Sequence, residues 1–379
     1  MCIVLVTTAH PKYALVVLDN RDEYILRPTS RPHWWTATPE PLAVNGSATT
    51  NGTDGFRPPK TAAQVHILSS RDLQRAEQGT WLGITKGGNF AVLTNYRETD
   101  THDAAHPVHG KRSRGGMVTA WLQANPAETT EQFVHRMLDG GGVKGVGGFS
   151  LICGKLRRVK GEKNIEPLAI ISNRCDHVGQ VPWICGQRGS VYGLSNATYL
   201  EQNEESKDSL WPKIRDGTDM LSRIAANAGE ETTEEELIAS LFKILDTDKF
   251  PADHTMDLEE GIPLLKDSIF IPAFGGKEHQ QEMAEARQRG NVKQTGHDSP
   301  AAETLTIAAR PDEQPANGFQ TGLYGTQRQT VILVDWDGNV TYTERALWDS
   351  NGNPIPRGKG DETFRFQVEG WEEEAALRN

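Results

Sequence analysis

The chain has few of the features that mark several classes of protein. Its 379 residues include only 4 cysteines, none of them in a CxxC pair, and no His or Cys spacing matches a zinc site. That density is too low for a secreted disulfide scaffold of this length. No apolar run reaches the roughly 18 residues of a membrane-spanning helix. We therefore expect a reduced, cytoplasmic protein with no transmembrane segment, metal or cofactor.

Basic charge and apolar residues are scarce as well. The formal net charge is -11, and no window carries a sustained basic stripe, so a nucleic-acid partner is not expected, because phosphate contacts need clustered Lys and Arg. Apolar content of 36% is low for a compact domain. We therefore predict a single domain over 1–379, with irregular insertions near 36–78 and 276–320.

Antiparallel hairpins and grouped helices are what the sequence does contain. Strand-like pairs flank the turns AHPK, KGGN and DGN, and a last strand is expected near 362–368. Short strands are also predicted in GFSLICGKL, PLAIISNR and VYGLSNA. Helical spacing appears four times, over 115–124, 129–139, 207–228 and 232–246. This combination indicates a layered α+β fold.

The first hairpin brings a polar block to the start of the chain. With the turn between His10 and Pro11, residues whose numbers sum to about 21 face each other. This register places Cys2 across from Asp19, with Asn20 and Arg21 just beyond. The alternative is a solvated strand end in which NRDE has only a local role.

Cys2 is a candidate nucleophile. Removal of Met1, which occurs when a small residue follows it, would leave Cys2 with a free α-amine beside its thiol. Their pKa values, about 7.7–8.0 and about 8.5, lie close to neutrality, so the amine can serve as base for the thiol. Arg21 would favour the thiolate, and Asp22 would orient the amine. The alternative is a small residue after the initiator Met with no chemical role.

An ordered series of short motifs resembles the NRDE family, also known as the transport and Golgi organisation protein 2 family. The motifs are Met-Cys, NRDE, TWLG, LTNYR, GFSLICG, ISNR, GLSNA, WPK, YGT and TVILVD, from residue 1 to about residue 346. The resemblance implies an Ntn-hydrolase-like αββα sandwich with antiparallel sheets. It also implies a likeness to the cholylglycine hydrolase and penicillin V acylase group.

The resemblance implies a set of site residues. Cys2 matches the nucleophile, Arg21 and Asp22 match the Arg and Asp of the second strand, and Asn95 and Asn196 match the two Asn. The family commonly reads YGTR, whereas here Gln327 follows Tyr324-Gly325-Thr326 and the arginine is Arg328. Asn20 and Arg328 are assigned to ligand binding.

The resemblance leaves two functions open. One is a factor in protein secretion and Golgi organisation that handles haem or an acyl lipid. The other is an active N-terminal-cysteine amidohydrolase or thioesterase acting on a small acyl substrate. Either one implies a hydrophobic small molecule, haem or an acyl compound, as partner. Peripheral association with the Golgi or the mitochondrion stays open beside a cytoplasmic location.

Overall fold

The computed structural model describes residues 2–39, 64–96, 113–197, 199, 209–229, 231–293 and 321–372. In chain order, the strands of these ranges are β1 (Ile3–Thr7), β2 (Tyr13–Tyr24), β3 (His33–Ala37), β4 (Val65–Ser69), β5 (Leu82–Thr85), β6 (Asn89–Asn95), β7 (Phe149–Lys155), β8 (Leu168–Ser172), β9 (Trp183–Ile184), β10 (Val191–Leu194), β11 (Tyr324–Asp335), β12 (Asn339–Ala346) and β13 (Asp361–Gln367). The helices are α1 (Gly115–Leu122), α2 (Thr130–Asp139), α3 (Pro212–Asn227), α4 (Glu234–Leu245), α5 (Leu258–Gly261) and α6 (Lys277–Lys293).

The strands form two antiparallel sheets that pack face to face. The first has the order β10-β1-β2-β11-β12-β13, and the second has the order β3-β4-β5-β6-β7-β8-β9. Alternation along β2 shows how the sequence specifies the layers, because Val17 packs between the sheets and Leu18 packs towards the helices. Helices α3 and α4 cover the first sheet, and α1 and α2 cover the second. The predicted αββα sandwich is confirmed.

The helices and hairpins agree with the patterns in the sequence. All four helical spacings correspond to helices, α1 to α4. Helix α4 begins with a reciprocal capping box between Thr233 and Glu236. The three hairpins β1-β2, β5-β6 and β11-β12 pair as predicted, and β13 is the last strand.

The register of the first hairpin is a correction. Ile3 faces Asn20, so paired numbers sum to 23, and one further step brings Cys2 opposite Arg21 rather than Asp19. The NRDE block also does not close the strand, because β2 continues to Tyr24. It continues because β11 pairs with this half of the strand on its other edge. Polar residues at a central position of the sheet thus keep their backbone hydrogen bonds.

Parts of the two predicted irregular insertions are ordered. Within 36–78, β4 pairs with β3 and β5, and its Ile67 and Leu68 are buried. Within 276–320, α6 covers Lys277–Lys293 and buries Met283. The prediction of irregular structure was wrong for these two segments, because β4 is only five residues long and α6 has few large apolar residues, so neither gave a clear periodic signal. Residues 40–63 and 294–320 lie outside the described ranges.

A β-bulge interrupts the pairing of β11 with β2. Thr326 faces Asp22 and Arg328 faces Arg21, so Gln327 is an extra residue without a partner on β2. A bulge of this kind bends the strand and changes the direction of nearby side chains. The bulge therefore decides where the side chains of the YGTQR segment lie.

Candidate functional site

Cys2 lies buried just before β1, at the end of the first sheet that carries the NRDE residues. It is 1% exposed, and Arg21 of the neighbouring strand is the residue opposite it. Burial raises the pKa of the Cys2 thiol to about 12, and the charges of Asp19 and Asp22 act in the same direction. The thiol is thus neutral at pH 7 unless a nearby base or cation changes that balance.

Asp22 is, with Asp19, one of the two carboxylates whose charges act on this thiol. Its Oδ1 accepts a hydrogen bond of 2.7 Å from the hydroxyl of Thr326, and the Tyr324 hydroxyl donates to its backbone carbonyl at 3.0 Å. Burial raises the pKa of the Asp22 carboxyl, while Lys213 and the Thr326 hydrogen bond oppose that shift. Asp22 is therefore fixed by β11 on one side and influenced by a lysine on the other.

That lysine was missed by the sequence analysis. Lys213 is in the first turn of α3 and is fully buried. Burial lowers the pKa of its ammonium, and the negative charges of Asp22 and Cys2 oppose the shift. Pro212 of the WPK segment is the first residue of α3. The sequence did contain a signal that Lys213 is buried, because it precedes the buried Gly217 and Leu221 at four-residue spacing on one helix face.

Arg21 points between the two sheets and is held there by several partners. Its guanidinium donates to the hydroxyls of Ser70 and Thr29 and to Oε1 of Gln327, at 3.0, 3.2 and 3.0 Å. It also lies over the ring of Trp81, 4.8 Å from the centroid. Gln327 thus occupies the place beside Arg21, where a second arginine would bring two positive charges together.

Arg328 is turned towards β12. Its Nη1 donates to the carbonyl of Trp348 at 2.8 Å, and its Nε lies 3.7 Å from Glu344. These contacts lie on β12 and just after it, on the side of β11 away from β1. The structure therefore does not bring Arg328 to Cys2.

The two predicted asparagines meet at the ends of β6 and β10. The side-chain amide of Asn196 donates to the backbone carbonyl of Asn95. Ser195, which the sequence analysis did not single out, donates from its hydroxyl to the carbonyl of Cys2 at 2.7 Å. Thr94 donates in turn to the carbonyl of Ser195 at 3.0 Å. These bonds join the two sheets beside Cys2.

Asn20 lies on the helix-facing side of β2, as Asp22 does two residues further on. Its amide donates to the carbonyls of Leu245 and Ile269, both at 2.9 Å, in the helical layer. Both donor hydrogens of Asn20 are thus used at backbone carbonyls, one of them at the end of α4.

A polar cavity opens between the sheets beside this set. Three arginines and two acids line it together with Asn95: Arg27, Arg75, Arg114, Glu23 and Asp72. Arg27 is paired with both acids, at 3.2 Å from Glu23 and 2.7 Å from Asp72. Burial lowers the pKa of Arg114, which is close enough to Cys2 for a thiolate there to raise it. The described lining carries three cations against two anions.

Among the described residues there is neither a metal-binding cluster nor a membrane-spanning helix. No group of three or more His, Cys, Asp or Glu side chains there could hold a metal ion. Over the same residues, no helix combines the length and apolar character needed to cross a membrane. The four cysteines are buried free thiols.

The layers give the class of fold, and comparison with known proteins gives the family. Two antiparallel sheets between helical layers form the αββα sandwich that the sequence predicted. The profile of the Transport and Golgi organisation 2 family matches residues 1–53 and 56–349, so the chain belongs to that family.

Several relatives and solved structures are similar to this chain over most of its length. The Transport and Golgi organization protein 2 homolog of Homo sapiens is 26% identical over 89% of this chain and 88% of its own. An uncharacterised protein of Saccharomyces cerevisiae is 23% identical over 97% of this chain and 100% of its own. Among solved structures, penicillin V acylase from Agrobacterium tumefaciens superposes with a TM-score of 0.40 at 13% identity, over 97% of this chain and 86% of that chain. A conjugated bile acid hydrolase from Clostridium perfringens gives 0.32 at 10% identity, covering 100% of both chains.

Proposed function

We propose that this protein binds a hydrophobic small molecule that carries an anionic group, an acyl compound or haem, in the cavity beside Cys2. The observation that carries the proposal is the lining of that cavity. Its three arginines exceed its two acids, and Arg114 is held in partly desolvated surroundings where it favours an anion. A carboxylate or phosphate on the ligand would be attracted to this lining.

An adjoining cavity has a mixed lining and could take the apolar part of such a ligand. It shares Arg27 with the first cavity, and Leu26, Trp348 and Ile355 are among its lining residues, beside charged ones. A small apolar surface next to a polar cavity suits a molecule with an anionic end and a hydrocarbon end. Both an acyl thioester and haem, with its propionates, have this character.

Titration calorimetry with palmitoyl-coenzyme A and with haemin tests the proposal. Arg114→Ala is expected to weaken binding of the preferred ligand about tenfold or more, because a charge-assisted hydrogen bond is lost. Arg223→Ala removes an exposed cation from α3 and should leave the affinity unchanged. Failure of both ligands to bind the folded protein would refute the proposal. Microscopy of the tagged chain tests the Golgi association.

A second candidate is hydrolysis by an N-terminal cysteine, and the arrangement around Cys2 supports it. In a chain whose first residue is Cys2, the α-amine would take the thiol proton and the thiolate would attack the ligand's carbonyl carbon. The tetrahedral oxyanion would need donors, for which the amides of Asn95 and Asn196 are candidates. The amine would return its proton to the leaving group, and water would release the acyl group from sulfur.

Intact mass and turnover distinguish the two candidates. Hydrolysis requires a mass that lacks Met1 and a loss of thioester or amide turnover in Cys2→Ala. Binding alone requires neither. A protein that retains Met1, or whose turnover is the same in Cys2→Ala, is not a hydrolase of this type, and ligand binding can still be measured in it.

A further inference from the structure

We propose that Ser195, the residue after β10, is a positioning residue of Cys2, whose hydroxyl fixes the place of this cysteine beside the cavity. The inference deepens the proposed function, on which its biological meaning rests, because it names what holds Cys2 next to a bound ligand. The resemblance to the family assigns a role to the neighbouring Asn196 and none to this serine.

The hydrogen bond between Ser195 and Cys2 is the first observation. The Ser195 hydroxyl lies 2.7 Å from the carbonyl oxygen of Cys2 and 3.3 Å from the side-chain oxygen of Asn196. Because a hydroxyl has a single proton to donate, the shorter contact receives it. Ser195 and Cys2 are both 1% exposed, so the serine rather than solvent satisfies this carbonyl.

The bond lies where the strand pairing stops. The register of β1 with β10 ends at Val4 and Leu194, and β1 itself begins at Ile3. Cys2 therefore lies outside this ladder, and its buried carbonyl needs a donor from elsewhere. The side chain of Ser195, one residue beyond the end of the ladder on the facing strand, supplies that donor.

Ser195 is in turn held from the second sheet, at residues that border the cavity. The hydroxyl of Thr94, in β6, donates to the carbonyl of Ser195 at 3.0 Å. The following residues are joined as well, because the amide of Asn196 donates to the carbonyl of Asn95, which lines the polar cavity. Two adjacent links thus connect the wall of the cavity through Ser195 to Cys2, so the serine determines where Cys2 lies relative to a ligand.

Alkylation by iodoacetamide at one pH, measured at each cysteine by peptide mass spectrometry, tests this role. A buried thiol reacts through local opening of the structure, and Ser195→Ala removes a hydrogen bond of the closed state. Cys2 should therefore react about tenfold faster, because a buried carbonyl loses its donor. The remaining buried free thiols are internal controls and should keep their wild-type rates: Cys153, Cys175 and Cys185.

Matched variants show whether the hydroxyl itself is responsible. Ser195→Thr keeps a hydroxyl at this position and should restore most of the wild-type rate. Ser190→Ala makes the same change at the other end of β10, where Thr7 and Thr8 bind the backbone of Ser190, and should leave the Cys2 rate unchanged. If Ser195→Ala does not fold, Thr94→Val removes the hydroxyl that holds the Ser195 carbonyl and should accelerate the reaction of Cys2 alone.

The outcomes separate positioning from a general effect on stability. Equal acceleration at all four cysteines would overturn the proposal, because it would show a general loss of stability. An unchanged or slower reaction of Cys2 in the folded Ser195→Ala protein would also overturn it, and so would an unchanged Cys2 rate in Thr94→Val if the serine variant does not fold. The assay contains neither an acyl compound nor haem, so its result does not depend on whether the cavity binds such a ligand.

Discussion

Asn20, the first residue of the NRDE block, allows a quantitative test of what this block contributes to the stability of the fold. Asn20 is fully buried, and its amide donates to the carbonyls of Leu245 and Ile269. Leu245 is the last residue of α4, so its carbonyl is among those that a helix leaves without an internal partner. Asn20 therefore satisfies the end of α4 from the neighbouring strand. We predict that Asn20→Ala destabilises the fold without a specific loss at the cavity.

The magnitude follows from the groups that lose partners. Two buried carbonyls each lose a donor, at about 1–3 kcal/mol apiece. Removing the Asn20 Oδ1, which is itself buried without a hydrogen bond among the described residues, returns about 1 kcal/mol. The expected net loss of unfolding free energy is about 1–5 kcal/mol.

Urea unfolding followed by tryptophan fluorescence and circular dichroism measures this loss, and coincidence of the two transitions tests two-state behaviour. Asn339→Ala, at the exposed first residue of β12, is the matched control and should cost less than about 1 kcal/mol. A loss below about 1 kcal/mol for Asn20→Ala would refute the argument. So would an unchanged stability combined with weakened ligand binding, which would return Asn20 to the ligand site.

Three further predictions concern packing and charge. Gly217→Val should destabilise by about 1–3 kcal/mol in thermal melts, because its Cβ would lie 2.8 Å from Leu5 Cδ1; a variant as stable as wild type would contradict the packing. Burial raises the pKa of Asp19 in the folded protein from 3.8 to about 8. Between these two pH values the folded protein keeps the Asp19 proton, whereas the unfolded chain has lost it. Stability should therefore fall as pH rises from about 4 to 8, by at most about 1.4 kcal/mol per unit, and Asp19→Asn should flatten the urea-derived profile; an unaltered slope would count against it. Arg27→Ala should cost about 3 kcal/mol in urea, because it leaves the buried Asp72 carboxylate without its cation; a loss under 1 kcal/mol would show that the pair contributes little.

The sequence was sufficient for elements that carry their own periodic or turn signals. The hairpins around KGGN and DGN and the capping box at Thr233 depend on local chemistry, and the structure has all three. The register of the first hairpin depends instead on both neighbours of β2. Pairing with β11 extends the strand through NRDE and moves the partner of Asn20 to Ile3.

Long-range packing explains most of what the sequence analysis missed. β4 is only five residues long and α6 carries few large apolar residues, and both are ordered by neighbours distant in the chain. Lys213 was missed for a similar reason, because a lysine after a helix-starting proline is ordinary until α3 is seen packed on β1.

The bulge at Gln327 affects how the sequence of β11 can change during evolution. The apolar half of β11 alternates strictly between core and helical layer, whereas the polar half before it serves the cavity side of the sandwich. One extra residue between the halves separates their phases, so an insertion or substitution in one half need not invert the other. The residues beside Arg21 can therefore be substituted while the alternation of apolar residues in the other half of β11 is kept.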